Sequence, residues 1–310
     1  MKIDTLVLSG GSTKVPAYVG AFRALKEHNI INDNLDGINH IIVCSVGMMV
    51  ALFILLGVNE DIIECIMKKM CFSELLDLEN IDINDLLFEF GLFDNKKVST
   101  MVLTILRERY SKEDMSLLEL YKLTNIKLTA KVVNHTMGCV EYMSYENEPD
   151  LSIMKLLQMT TAIPLFFKPI KYKDCLYVDG GQSGGFAIEI AGDNYIGIHL
   201  KGPWKSGKQK TTLFDELPII NYIIQGQVIA CLDTSEPDSK KIVIPLDVHF
   251  TNFKLSLEEK QNLIDAGYEL TKKHILQYNL TNDLFSKPDE PSKPDEPSKP
   301  DEDISPTEED

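Results

Sequence analysis

Two spacings alternate along the chain. Ile3–Leu8 (IDTLVL) is a short β-type run that stops at Ser-Gly-Gly. From Pro16 to Lys26 the apolar positions Ala17, Val19, Ala21, Ala24 and Leu25 suit a helix, with Pro16 placed for its first turn. His40–Cys44 is a second β run, and the apolar Gly47–Leu56 reads as a buried helix. Residues 59–125 read as mostly helical, in short amphipathic pieces. Lys127–Val133 and Cys139–Ser144 read as strands, a hairpin turning at His135–Gly138. A short helix at Ser152–Thr161 and a strand at Cys175–Val178 lead to Asp179-Gly-Gly. Further strands are predicted at Tyr195–Leu200 and Lys241–Ile244, and helices at Phe214–Ala230 and Ser256–Gln277. Ser256 with Glu259 forms a capping box for the last helix. Strands alternating with helices predict an α/β protein with a mainly parallel central sheet.

One stretch has a competing interpretation. Ile41–Val58 is eighteen residues without a charge, the minimum for a membrane helix. Its β-branched start, the polar Ser45 and the interrupting Gly47 instead predict a buried strand running into a buried helix. A transmembrane span at 41–58 is therefore not expected. The N-terminus lacks the apolar run of a signal peptide, so an intracellular, cytoplasmic protein is expected.

Composition separates the chain into two parts. Residues 286–310 repeat SKPDEP and hold ten acidic residues and three lysines, a net −7 of the total −16. Frequent proline and few apolar residues predict a disordered acidic tail of unknown partner. Residues 1–285 are expected to form one domain. Their net −9 provides no concentrated basic surface, so no nucleic-acid partner is expected. The six cysteines have no CxxC spacing and do not cluster with histidine, so no metal is expected.

Three loops could carry chemistry. Ser9-Gly10-Gly11-Ser12-Thr13-Lys14 joins a strand to a helix, and such a loop offers backbone N–H groups to a phosphate or a developing oxyanion. A tight structural turn would look the same. Val43-Cys44-Ser45-Val46-Gly47 places a serine between a β run and an apolar helix, the setting of a nucleophile elbow. Gly47 supports that elbow, while Val43 stands where a glycine is usual; a buried serine at a junction is the alternative. Asp179-Gly180-Gly181 can present a carboxylate base in a cleft or simply turn the chain. No histidine lies in a comparable loop: His28 and His274 fall on helices and are expected to be exposed, and His40 falls at the far end of its strand from Ser45.

Taken in order, these loops resemble the patatin-like phospholipase family from about Leu6 to about Tyr268. The segments are LVLSGGSTKVPAYVGAFRAL, IIVCSVGMMVAL, TTAIPLFFKPIKYKDCLYVDGG and FKLSLEEKQNLIDAGYE. The resemblance implies a three-layer α/β/α fold related to the α/β-hydrolases. It also implies a serine-type carboxylic ester hydrolase acting on lipids, working through an acyl-enzyme and needing no cofactor. In that reading Ser45 is the nucleophile, Asp179 its base, and Gly10, Gly11, Ser12 and Lys14 form the oxyanion or anion-binding loop. The implied partners are a lipid or other acyl-ester substrate and, transiently, a membrane surface.

The departures from the family pattern carry a second reading. Ser12 and Val15 replace loop glycines, Val43 replaces the elbow glycine, and Gly184-Gly185-Phe186 stands where Asn-Pro is common. A positive φ at Ser12 or Val15 would be strained. These features also fit a protein that kept the fold as a lipid-binding scaffold and lost turnover. The lysines around Trp204 read as a solvated loop or a membrane contact. Met67, Met70, Leu86, Leu87, Phe88 and Phe90 read as core residues or lipid contacts, with core preferred.

Overall fold

The computed structural model describes residues 2–75, 88–202, 237–248 and 252–282. The expected Phe214–Ala230 helix, Trp204, Leu86, Leu87 and the 286–310 repeats lie outside these residues. The strands are β1 (Thr5–Leu8), β2 (His40–Cys44), β3 (Gly91–Phe93), β4 (Lys127–Asn134), β5 (Cys139–Met143), β6 (Leu165–Phe167), β7 (Ile170–Tyr172), β8 (Cys175–Asp179), β9 (Tyr195–Lys201) and β10 (Lys241–Pro245). The helices are α1 (Ala17–Glu27), α2 (Val46–Leu55), α3 (Glu60–Lys69), α4 (Lys96–Tyr110), α5 (Leu117–Thr124), α6 (Ile153–Thr160) and α7 (Leu257–Tyr278).

The main sheet runs β10-β9-β1-β2-β4-β8-β7, with β5 also on β4. From β10 to β4 all neighbours are parallel; β5, β8 and β7 add antiparallel pairs. This is the mainly parallel α/β architecture that the alternating pattern predicts. β1 and β2 are buried along nearly their whole length, which is why they read as continuous apolar runs. Leu6, Leu8, Ile41 and Val43 face the large core shared with the helices. Val7 and Ile42 point the other way and join a smaller cluster with Phe186, Ala187, Ala191 and Tyr195.

The registers on β4 explain the geometry of the site. β2 pairs with residues 127–131 of β4, β8 with 132–134, and β5 with 130–134. β5 therefore occupies one flank, and β2 and β8 share the other from opposite directions. Their ends meet, with Cys44 opposite Lys131 and Asp179 opposite Val132.

Helix limits follow local signals. Both α5 and α7 begin with capping boxes, Ser116 with Glu119 and Ser256 with Glu259. Asn125 and Asn279 close them in the left-handed conformation. α2 is apolar on all sides because it is buried on all sides. The uncharged Ile41–Val58 stretch contains β2, a turn at Ser45 and α2. Among the described residues no helix is long and apolar enough to cross a membrane.

Several expectations change. The short β3, β6 and β7 carry too few residues to show a period, and β3 interrupts the stretch expected to be helical. His274 is buried, 7% exposed, because its face of α7 packs inward. Met67 and Met70 are core residues as expected, but Phe88 and Phe90 are 75% and 54% exposed.

Candidate active site

Ser45 is the single residue between β2 and α2 and has φ 51° and ψ −132°. That conformation is strained for a residue with a side chain and turns the chain sharply from strand to helix, as the elbow expectation requires. The following turn needs Gly47: a Cβ there would lie 2.7 Å from the Leu8 carbonyl oxygen and 2.8 Å from that of Ser9. The Val43 side chain is wholly buried in the main core. The Ser45 amide donates to Thr160 Oγ1 (2.9 Å), and that hydroxyl donates to the Lys131 carbonyl (2.8 Å).

Ser45 Oγ donates to Asp179 Oδ2 at 2.6 Å, across 134 positions of sequence. The other carboxylate oxygen accepts the Gly181 amide at 2.7 Å. Asp179 is 5% exposed. Burial raises its carboxyl to about 6, partly offset by the bonds from Ser45 and Gly181. Cys44 Sγ lies 4.0 Å from Asp179 Oδ1, but burial, and then the neighbouring carboxylate, push its thiol pKa well up. A protonated, enclosed thiol is a poor nucleophile. Among the described residues no histidine bonds to Ser45 or Asp179: His40 reaches Thr129 Oγ1, and His199 stacks on Phe186.

The glycine loop differs in detail from expectation. Gly10 abuts Ser45, but its amide donates to the Gly185 carbonyl at 2.8 Å and is thereby committed. Gly11 has no such bond among the described residues. Ser12 has φ 49°, the left-handed region where its side chain is costly, whereas Val15 is helical at φ −49° and unstrained. Lys14 is buried, and its Nζ lies 3.1 Å from where a Cβ on Gly202 would sit, beside β9. The replaced Asn-Pro leaves Gly184 at φ 96° and Gly185 holding Gly10. Sequence reasoning missed Thr13, which is buried in the turn Ser12–Lys14.

Beneath the loop a buried lysine holds the Asp179 segment. Lys131 is 1% exposed; its Nζ donates to the Ser183 carbonyl (2.9 Å) and to Glu189 Oε1 (2.6 Å). Tyr142 also donates to Glu189. Burial raises the Glu189 carboxyl, but the bonds from Lys131 and Tyr142 outweigh it and leave the pKa lowered. Glu189→Ala would leave the Lys131 ammonium buried without its counter-ion. It is expected to destabilise by about 2 kcal/mol, below the fully buried limit because Glu189 is partly exposed. Urea unfolding would measure this, and an unchanged midpoint would refute it.

A cavity of about 40 Å³ opens at Ser45, lined by Ser12, Thr13, Val46, Met49, Met70, Phe72, Val98, Met101, Thr161, Ile163, Phe167 and Phe253. Of the four loop residues expected to bind an anion, only Ser12 lines it. A larger pocket of about 600 Å³ between α1, α2 and α3 includes neither Ser45 nor Asp179. Among the described residues no cluster of His, Cys, Asp and Glu is placed to hold a metal.

The chain is similar to proteins from viruses and bacteria. It is 28% identical over 189 residues to a probable lipid hydrolase of Invertebrate iridescent virus 6, covering 60% of this chain and 62% of that protein. It is 24% identical over 291 residues to an uncharacterized protein of Acanthamoeba polyphaga mimivirus, covering 89% of this chain and 95% of the other. VipD from Legionella pneumophila shares the fold at a TM-score of 0.60 and 16% identity, covering 90% of this chain and 67% of VipD. The sequence model for patatin-like phospholipases matches residues 6–191, from β1 past β8. That span contains the glycine loop, the Ser45 elbow and Asp179, and it places this chain in the patatin-like phospholipase family.

Proposed function

We propose that this protein hydrolyses acyl esters of lipids, with Ser45 as nucleophile and Asp179 as general base. The observation that carries the reading is the 2.6 Å bond from the Ser45 hydroxyl to Asp179 at a strained elbow beside an apolar cavity. Ser45 Oγ attacks the ester carbonyl carbon while its proton passes to Asp179. Collapse of the tetrahedral species returns that proton to the leaving alcohol, and water then releases the acid by the reverse sequence. The Gly11 amide, without a backbone partner among the described residues, and the first amide of α2 at Val46, which has none within the helix, are the backbone donors available to the oxyanion on this reading. Gly10 serves by position, holding the loop to Gly185.

The lining of the cavity suits an acyl chain. At about 40 Å³ it is smaller than such a chain requires, so Met49, Met70 and Met101 must rearrange on binding. Unbranched methionine does this at small energetic cost. Of the departures that suggested a scaffold, Val15 is unstrained, Val43 packs in the core and Gly185 anchors the loop, while Ser12 stays in the left-handed region.

A fluorophosphonate probe tests the reading. Mass spectrometry should locate one adduct on Ser45, and Ser45→Ala should be neither labelled nor able to release nitrophenol from short-chain esters. Absence of labelling in the wild type, or equal turnover in Ser45→Ala, would overturn it.

A further inference from the structure

Thr13 is the polar side chain at the cavity that neither the dyad nor the loop contacts account for. It is 1% exposed, and its Oγ1 is buried with no hydrogen-bond partner among the described residues. Threonines in helical turns usually return their hydroxyl to a carbonyl of the preceding turn. Thr104, Thr124 and Thr161 do this here, bonding to Thr100, Leu120 and Leu157. Thr13 sits in the single turn Ser12–Lys14 and has no preceding helical turn to bond to, and a buried hydroxyl without a partner is destabilising. Among the described residues the other buried orphans are Asn95 Oδ1, Thr271 Oγ1 and His274 Nε2, and none of these residues lines the cavity at Ser45. Thr13 lines it together with Ser45 and Val46.

We propose that the Thr13 hydroxyl is a catalytic donor to the carbonyl oxygen of the acyl ester held at Ser45, an inference that rests on the ester-hydrolase reading. The loop has a reason to use a side chain there. Gly10 has committed its amide to Gly185, and the left-handed turn at Ser12 immediately precedes Thr13. As the Ser45 Oγ–carbon bond forms, the serine proton moves to Asp179 and the π pair of the C=O bond moves onto oxygen. Thr13 keeps its proton, and its hydrogen bond strengthens as negative charge develops. When the oxyanion reforms the carbonyl, the ester C–O bond breaks and the departing oxygen takes the proton from Asp179. A hydroxyl without a partner among the described residues thus gains one in the transition state.

The test separates this role from a structural one. Thr13→Val keeps the branched shape and removes the donor; it should lower kcat for nitrophenyl butyrate about 100-fold. The midpoint of thermal unfolding should stay equal to wild type or rise, since an unpaired buried hydroxyl is removed. Thr13→Ser should restore most of the lost kcat. Thr13→Ala provides the same readout if the valine does not fold. Wild-type kcat in the variants lacking the hydroxyl, or a loss that accompanies a lowered midpoint and that serine does not rescue, overturns the proposal. Ser45→Ala measured alongside distinguishes the two failures. An active wild type with inactive Ser45→Ala and unaffected Thr13→Val overturns only Thr13. Equal rates for wild type and Ser45→Ala overturn the hydrolase reading and this one with it.

Discussion

Asp179→Asn is expected to lower kcat/KM for acyl esters by about 10³–10⁴-fold while making the protein more stable at neutral pH. The loss follows from geometry. Among the described residues Ser45 Oγ donates only to Asp179 Oδ2, at 2.6 Å, and an amide cannot take its proton. The gain follows from burial, which raises the carboxyl from 3.8 to about 6. Below pH about 4 the group is protonated in both folded and unfolded chains and costs nothing. As pH rises through the window from about 4 to about 6 the unfolded chain ionises first, so the native state loses stability. Above that window the loss is constant at about 3 kcal/mol. Asparagine removes it. The difference in thermal midpoint between variant and wild type should be small at pH 4 and large at pH 7. The wild-type rate should fall as pH drops below about 6, where Asp179 gains its proton. Full activity in the variant, or a midpoint difference independent of pH, would contradict this account.

Gly20→Ala should destabilise the protein by about 3 kcal/mol, although alanine favours a helix by about 1 kcal/mol. Gly20 on α1 faces the backbone of α7, where a Cβ would lie 1.9 Å from the Ile264 carbonyl oxygen and 2.6 Å from the Tyr268 nitrogen. Gly267 on α7 makes the reciprocal approach: a Cβ there would lie 2.0 Å from the Ala17 carbonyl oxygen. Two rigid main chains cannot absorb a methyl group as the end of a flexible side chain would, so the helices must separate. α1 follows the glycine loop in the chain after only Val15 and Pro16. In urea the unfolding midpoint should drop with little change in slope. A raised midpoint would show that propensity outweighs contact at this position.

Ser45, Gly47 and the run His40–Cys44 were legible because a β-branched strand, a turn and an apolar helix follow one another within a few residues. The capping boxes at Ser116 and Ser256 are likewise short-range, since each is a bond between side chain and backbone three residues apart. The resemblance of the ordered loops pointed to Asp179 as the partner of Ser45, but neither periodicity nor spacing could do so. Gly20 and Gly267 looked like ordinary helix residues, and β3, β6 and β7 were too short to declare themselves.

By itself, then, the sequence determined the α/β class, the strand-turn-helix around Ser45 and the glycine loop, all set by interactions between near neighbours. Only the tertiary structure decided what depends on distant segments. β2 and β8 end head to head on one flank of β4, which brings Ser45 within a hydrogen bond of Asp179. Gly185 takes the Gly10 amide, Lys131 anchors the Asp179 segment, and Thr13 lines the cavity with a hydroxyl that has no partner among the described residues. The physical reason is that local propensity acts over a few residues, whereas strand register and packing choose which distant groups share a dry volume.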